Sequence, residues 1–157
     1  MKRLILLALM LIPGVVLACG ANEEQVFACT TTKAKFVQVC QAPTAVNYAF
    51  GKKGQKPELA LTSSNEKMRW VRDGGTGGDT DALTFTNGRT RYLISVYTYF
   101  DKLSTAENEG GLSASLEVLQ GDKTLANIEC QESGLKFNPD ALKAKSIRWG
   151  EDGTDSF

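Results

Sequence analysis

Residues 83–100 read LTFTNGRTRYLISVYTYF and indicate the fold class more clearly than any other part of the chain. Two runs rich in β-branched and aromatic residues, which favour strands, flank the dipeptide Asn87-Gly88. Asn-Gly supplies the positive φ angles of a type I′ turn, which joins two antiparallel strands. The stretch therefore predicts a β-hairpin that turns at Asn87-Gly88.

Similar short runs extend to both sides of this hairpin and are separated by turn residues. A second hairpin is expected at Gly121-Asp122, and helical periodicity is absent between residues 25 and 130. We therefore expect an all-β fold: a single antiparallel β-barrel or sandwich of about eight or nine strands, with a short C-terminal helix over NPDALKAK. The other predicted strands are QVFACTT (25–31), KFVQVCQ (35–41), AVNYAF (45–50), ELALTS (58–63), MRWVR (68–72), SASLEVL (113–119) and TLANIEC (124–130).

The N-terminus has the three parts of a bacterial export signal. Lys2 and Arg3 precede an apolar run over 4–12, and Val16-Leu17-Ala18 forms a small-residue exit. The apolar run is shorter than the roughly 20 residues of a membrane-spanning helix. We expect a signal peptide over 1–18 and a single β domain over 19–157, with its core at about 25–130 and a C-terminal extension over 131–157.

Composition excludes several classes of function. The chain has no histidine, which removes Ser-His-Asp and Cys-His catalysis and histidine metal sites. Once the signal peptide with Lys2 and Arg3 is removed, 16 basic and 18 acidic residues remain, which gives a net charge of −2. A nucleic-acid-binding protein should show a basic excess instead. We expect a protein that is not an enzyme, needs no cofactor and binds no nucleic acid.

Four cysteines in an exported chain predict disulfides, and their spacing contains no C-x-x-C metal motif. Two pairings of Cys29 compete. The favoured one, Cys29–Cys40, requires a hairpin turn centred between Ala34 and Lys35, whereas Cys29–Cys130 would tie the first strand to the last.

Cys19 lies in VLACG (16–20) and has three possible fates. The stretch fits a permissive lipobox, which would make Cys19 a lipid anchor, and Gly20 at the next position would direct that lipoprotein to the outer membrane. Ordinary cleavage after Ala18 would keep Cys19 as a thiol available for a second disulfide. Cleavage further downstream would remove it. Lipidation or removal leaves three cysteines and one unpaired thiol.

Two polar loops are the expected binding loops, because contacts are often carried by loops on a rigid scaffold. The first, 51–57, is basic through Lys52, Lys53 and Lys56, and suits either a solvated turn or docking of an anionic partner. The second, 72–81, is glycine-rich and carries Asp73, Asp79 and Asp81. It suits a solvated hairpin loop, or a calcium site if the carboxylates converge.

The run YLISVYTYF (92–100) is apolar on both faces of its predicted strand. Tyr92, Ile94 and Val96 point one way, whereas Leu93, Tyr97 and Tyr99 point the other. Such a strand is either central and covered on both sides, or it presents an exposed tyrosine stripe that binds a protein.

Residues 27–59 resemble the start of a group of small exported bacterial β-proteins of uncharacterised function. The shared pattern is an F-x-C, a later V-C, and Y-x-F-G-K-x-G-x-K-P-E-L. The chain is also loosely similar to periplasmic and membrane-bound lysozyme inhibitors. It lacks their S-G-x-x-Y loop, and the nearest string is SGLKF (133–137), with Phe137 in the place of tyrosine.

Together these features predict an exported cell-envelope binding protein with a protein partner. Such a protein would be an inhibitor or an immunity-type protector against a hydrolytic enzyme. It would reside in the periplasm, either free or tethered to the outer membrane through Cys19. The alternative is a small-molecule or lipid carrier that holds an apolar ligand inside a barrel.

Overall fold

The computed structural model describes residues 19–100 and 110–145, which form two five-stranded antiparallel sheets packed as a sandwich. The all-β prediction is confirmed, and of its two forms the sandwich is the observed one, since the sheets do not close into a barrel. The first sheet has the order β10-β1-β2-β3-β4 and the second β5-β6-β7-β8-β9. The strands are β1 Glu24–Thr30, β2 Lys35–Gln41, β3 Ala45–Lys52, β4 Leu59–Ser64, β5 Arg69–Gly75, β6 Gly78–Asn87, β7 Thr90–Phe100, β8 Gly110–Gln120, β9 Lys123–Glu129 and β10 Lys136–Phe137.

The hairpin predicted at residues 83–100 is β6-β7, but its turn lies one residue later than expected. Asn87 pairs with Thr90, so Gly88 and Arg89 form the two-residue loop. Gly88 has φ +60°, whereas Arg89 is not among the residues with positive φ. A glycine in the first central position is typical of a type II′ turn. In this turn only Gly88 has a positive φ. Asn87 is therefore not needed as a turn residue, and it forms the last pair of the strand. The second hairpin turns at Gly121-Asp122 as predicted.

The core lies between the two sheets and follows the period-2 alternation of the strands. Ile94 and Val96 on β7 are fully buried, as are Leu83 and Phe85 on the paired strand β6. The first sheet supplies further inward side chains, which include Val26, Phe27, Val37, Val39, Val46 and Tyr48. Together they form one hydrophobic core between the two sheets.

The C-terminal residues 131–145 belong to the sandwich. The predicted helix is reduced to one 3₁₀ turn, Pro139–Ala141, and the Asn138 side chain does not cap it. The helix does not continue beyond this turn: Leu142 has an extended backbone and is buried in the core, and the Lys143 amide donates to Gln41 Oε1 at 3.0 Å. The remaining residues of the predicted C-terminal extension, 146–157, lie outside the described residues.

Candidate functional site

The basic loop is exposed, as predicted. Lys52 ends β3, and Lys53 and Lys56 lie in the connection to β4, all three with exposed side chains. The loop folds back on itself, because the Glu58 amide donates to the Phe50 carbonyl at 2.8 Å.

The prediction of a glycine-rich loop over 72–81 is wrong. β5 extends to Gly75 and β6 starts at Gly78, so only Thr76 and Gly77 form the turn. Register places Asp73 opposite Thr80, whereas Asp79 and Asp81 point to the other face of the sheet. The three carboxylates therefore do not converge on one cation.

Asp81 is fully buried, which also rules it out as an exposed binding residue. Its Oδ1 accepts from Trp70 Nε1 at 2.7 Å and lies 3.3 Å from Arg72 Nε. Burial raises the pKa of the Asp81 carboxyl, and the charge of Asp79 adds to this rise. The Trp70 hydrogen bond and the Arg72 charge oppose it. The arrangement joins β5 to β6 at one end of the core.

The cysteines pair as Cys19–Cys40 and Cys29–Cys130. The favoured Cys29–Cys40 pairing is wrong, and the alternative partner of Cys29 is the observed one. Cys29 faces Val37 across the β1-β2 pair. It thus shares the inward face of Val37, whereas Cys40 lies three positions further along β2 and points outward. The hairpin register therefore keeps the two sulfurs on opposite faces.

The Cys19 sulfur is bonded to Cys40, which corresponds to the second of its three fates. A lipid anchor would be attached to the same sulfur atom, so this disulfide and lipidation of Cys19 are mutually exclusive. The bond holds the start of the described chain against the outer face of the first sheet. There Glu23 accepts from Asn47 Nδ2 at 2.6 Å. A groove of about 240 Å³ lies beside it, with Phe36, Ala49 and Pro57 among its lining residues.

The outer face of the second sheet carries the most distinctive surface. Tyr97 and Tyr99 lie on the central strand β7 and are 41% and 40% exposed. Their ring centroids are 6.2 Å apart, and the rings are tilted by 30°. We call the exposed surface that Tyr97 and Tyr99 form on the outer face of the second sheet the tyrosine face. The exposed-stripe alternative for β7 therefore describes its second half, while Leu93 in the first half is buried.

Glycines make room for the tyrosine face. A Cβ at Gly111, which pairs with Tyr99 across β7-β8, would overlap the Tyr99 ring. The Tyr97 hydroxyl donates to the Gly77 carbonyl at 3.3 Å. Sequence patterning did not single out these glycines as part of a site. Their signal is two Gly-Gly pairs: Gly77-Gly78, where β6 begins, and Gly110-Gly111, where β8 begins, on either side of the tyrosine-rich strand.

A shallow recess of about 150 Å³ borders the Tyr97 ring on the same face. Its polar lining consists of hydroxyl groups and one carboxylate, contributed by Thr80, Ser95, Ser113, Ser115 and Glu129. The surface thus combines two flat aromatic rings with small hydrogen-bonding groups. This combination suits recognition of a partner surface more than enclosure of a small ligand.

The string SGLKF is divided between an exposed turn, which contains Ser133 and Gly134, and the short strand β10. Its Phe137 lies in β10 and pairs with Phe27 at the edge of the first sheet. The residue in the place of the inhibitors' tyrosine therefore lies in a strand and not in a loop.

Comparison with family models, with curated proteins and with solved structures finds no match for this chain. None of the helices in the described ranges has the length and apolar character needed to cross a membrane.

Proposed function

We propose that this chain is an exported binding protein that recognises a protein partner in the cell envelope through the tyrosine face. The observation that carries the proposal is the pair of neighbouring tyrosines, 41% and 40% exposed, on the central strand of a rigid sheet. Tyrosine gives a large contact area at low cost in side-chain entropy, and it is enriched at binding hot spots.

Two disulfides support the export part of the proposal, since such bonds persist in oxidising compartments outside the cytoplasm. The partner we favour is a hydrolytic enzyme, which the protein would inhibit or against which it would protect its host. With Cys19 in a disulfide, the proposed mature protein is not lipid-anchored and resides in the periplasm. The side chains buried between the two sheets favour this proposal over the carrier alternative, which needs an enclosed apolar cavity.

Site-specific photo-crosslinking in the envelope of the expressing cell tests the proposal. A photoreactive phenylalanine analogue replaces Tyr97, and in a second variant it replaces Leu125, which is 49% exposed on β9. We expect one discrete adduct with another protein from position 97 and none from position 125. The further substitution Tyr99→Ala should reduce the yield from position 97 at least tenfold.

Equal adducts from positions 97 and 125 would show collision rather than recognition. Absence of any adduct from position 97 in a properly oxidised, exported protein would contradict the proposal.

A further inference from the structure

The basic end of the first sheet is a surface that the proposed function leaves unused. We define it by four exposed lysines: Lys33 in the β1-β2 turn, Lys52 at the end of β3, and Lys53 and Lys56 in the β3-β4 connection. Among the described residues none of these four forms an ion pair. Their charges are therefore available to an external partner.

The topology brings these lysines together. Lys35 pairs with Lys52 across the antiparallel strands β2 and β3, so the turn before β2 and the connection after β3 leave the sheet at the same end. The connection is folded, because the Gln55 amide donates to the Lys52 carbonyl at 3.2 Å. Gly51 lets it pass close to the strand, since a Cβ there would stand 2.9 Å from the Glu58 nitrogen.

Positive charge is concentrated at the basic end. The one acidic residue of the β3-β4 connection, Glu58, is paired with a fifth lysine, Lys35. The four remaining lysines give the basic end a charge of +4. The other described residues carry 10 basic and 12 acidic side chains, a net charge of −2. Such a charge distribution orients a protein with its basic end toward an anionic surface.

We propose that the basic end docks on a membrane surface rich in anionic lipid headgroups. Lysines on two adjacent turns at one end of a sheet can approach a planar surface together, and complementary charge supplies the attraction. Each lysine close to an anionic membrane adds to the attraction, so four give reversible, salt-sensitive attachment. This attachment does not use the Cys19 sulfur, and it leaves the tyrosine face free because that face belongs to the other sheet.

Vesicle co-sedimentation of the oxidised chain beginning at Cys19 tests this proposal. The probes are vesicles of equimolar phosphatidylglycerol and phosphatidylcholine, and vesicles of phosphatidylcholine alone. We expect binding to the first only. It should disappear between 0.1 M and 1 M salt, where the Debye length falls from about 10 Å to about 3 Å.

A matched pair of variants locates the surface. Lys52→Gln/Lys53→Gln/Lys56→Gln should weaken vesicle binding roughly a hundredfold, as expected from about 1 kcal/mol per lysine. Lys67→Gln/Lys123→Gln/Lys143→Gln removes the same charge from exposed lysines outside the basic end and should change binding less than fivefold.

Equal losses in the two variants, or equal binding to both vesicle types, would overturn the proposal. Binding to neither vesicle would overturn it too, and would point to an acidic protein as the partner of this end. Tyr97→Ala/Tyr99→Ala should leave vesicle binding unchanged. Vesicle binding and crosslinking therefore test the membrane proposal and the partner proposal independently.

Discussion

At the scale of single residues, Asp81 is the clearest conflict between burial and charge. Its side chain is fully buried, and one of its two oxygens, Oδ2, has no hydrogen-bond partner within the described part of the chain. Burial raises the pKa of Asp81 despite the Trp70 hydrogen bond and the nearby Arg72. The ionised carboxylate therefore costs the folded state free energy.

We predict that Asp81→Asn removes a pH dependence of stability. A carboxyl whose folded pKa is raised stabilises the protein fully below its unfolded pKa, about 3.9, and loses this contribution as the pH rises through the folded pKa. The free energy of unfolding of the unsubstituted protein should therefore increase relative to Asp81→Asn as the pH is lowered from neutral to about 4. Chemical denaturation across this range measures the difference, and parallel curves would refute the prediction.

Two glycines near the tyrosine face should respond differently to alanine. At Gly111 the added Cβ meets only the end of the Tyr99 side chain, so Gly111→Ala should change stability by less than about 1 kcal/mol while displacing that ring. At Gly78 the Cβ would overlap the Thr98 carbonyl oxygen and φ is +156°, so Gly78→Ala should cost about 2 kcal/mol or more. Denaturation measures both costs, and Tyr99 ring NMR shifts report the displacement. Equal destabilisation by both substitutions would count against this explanation.

At the scale of elements, the nine long strands could be predicted from alternation, and the β6-β7 and β8-β9 hairpins from their glycines. The segment 72–81 could not. Its glycines look like loop residues, yet Gly74, Gly75 and Gly78 are paired in strands, and Gly78 lies close to the backbone of β7. Of the tyrosine face, the alternation of β7 predicted which side Tyr97 and Tyr99 occupy. Their exposure depends on what the neighbouring strands place beside them.

The disulfides also depend on contacts between elements. Cys29 and Cys130 are 101 residues apart, whereas Cys19 and Cys40 are separated by 21. Chain-entropy arguments give a cost of about 4 to 5 kcal/mol for losing the longer crosslink and about 3 kcal/mol for the shorter. We predict that Cys29→Ala/Cys130→Ala lowers the free energy of unfolding more than Cys19→Ala/Cys40→Ala. Urea denaturation of both double variants measures the order, and the reverse order would contradict it.

At the scale of the whole molecule, compartment, crosslinks and membrane attachment depend on one sulfur atom. If Cys19 is bonded to Cys40, the four cysteines are all paired and Cys19 carries no lipid. The membrane contact that we propose then relies on charge at the basic end, and the partner contact that we propose relies on the tyrosine face of the other sheet. If Cys19 carries a lipid, Cys40 loses its partner and the protein is held permanently at the membrane.

Intact-mass analysis of the protein purified from the envelope, with and without reduction and with peptide mapping, tests this claim most directly. We predict a mature chain that retains Cys19 without an acyl group. Reduction should add the mass of four hydrogen atoms, and the mapped crosslinks should be Cys19–Cys40 and Cys29–Cys130. An acylated Cys19 with a free Cys40 thiol, or a Cys29–Cys40 crosslink, would contradict it.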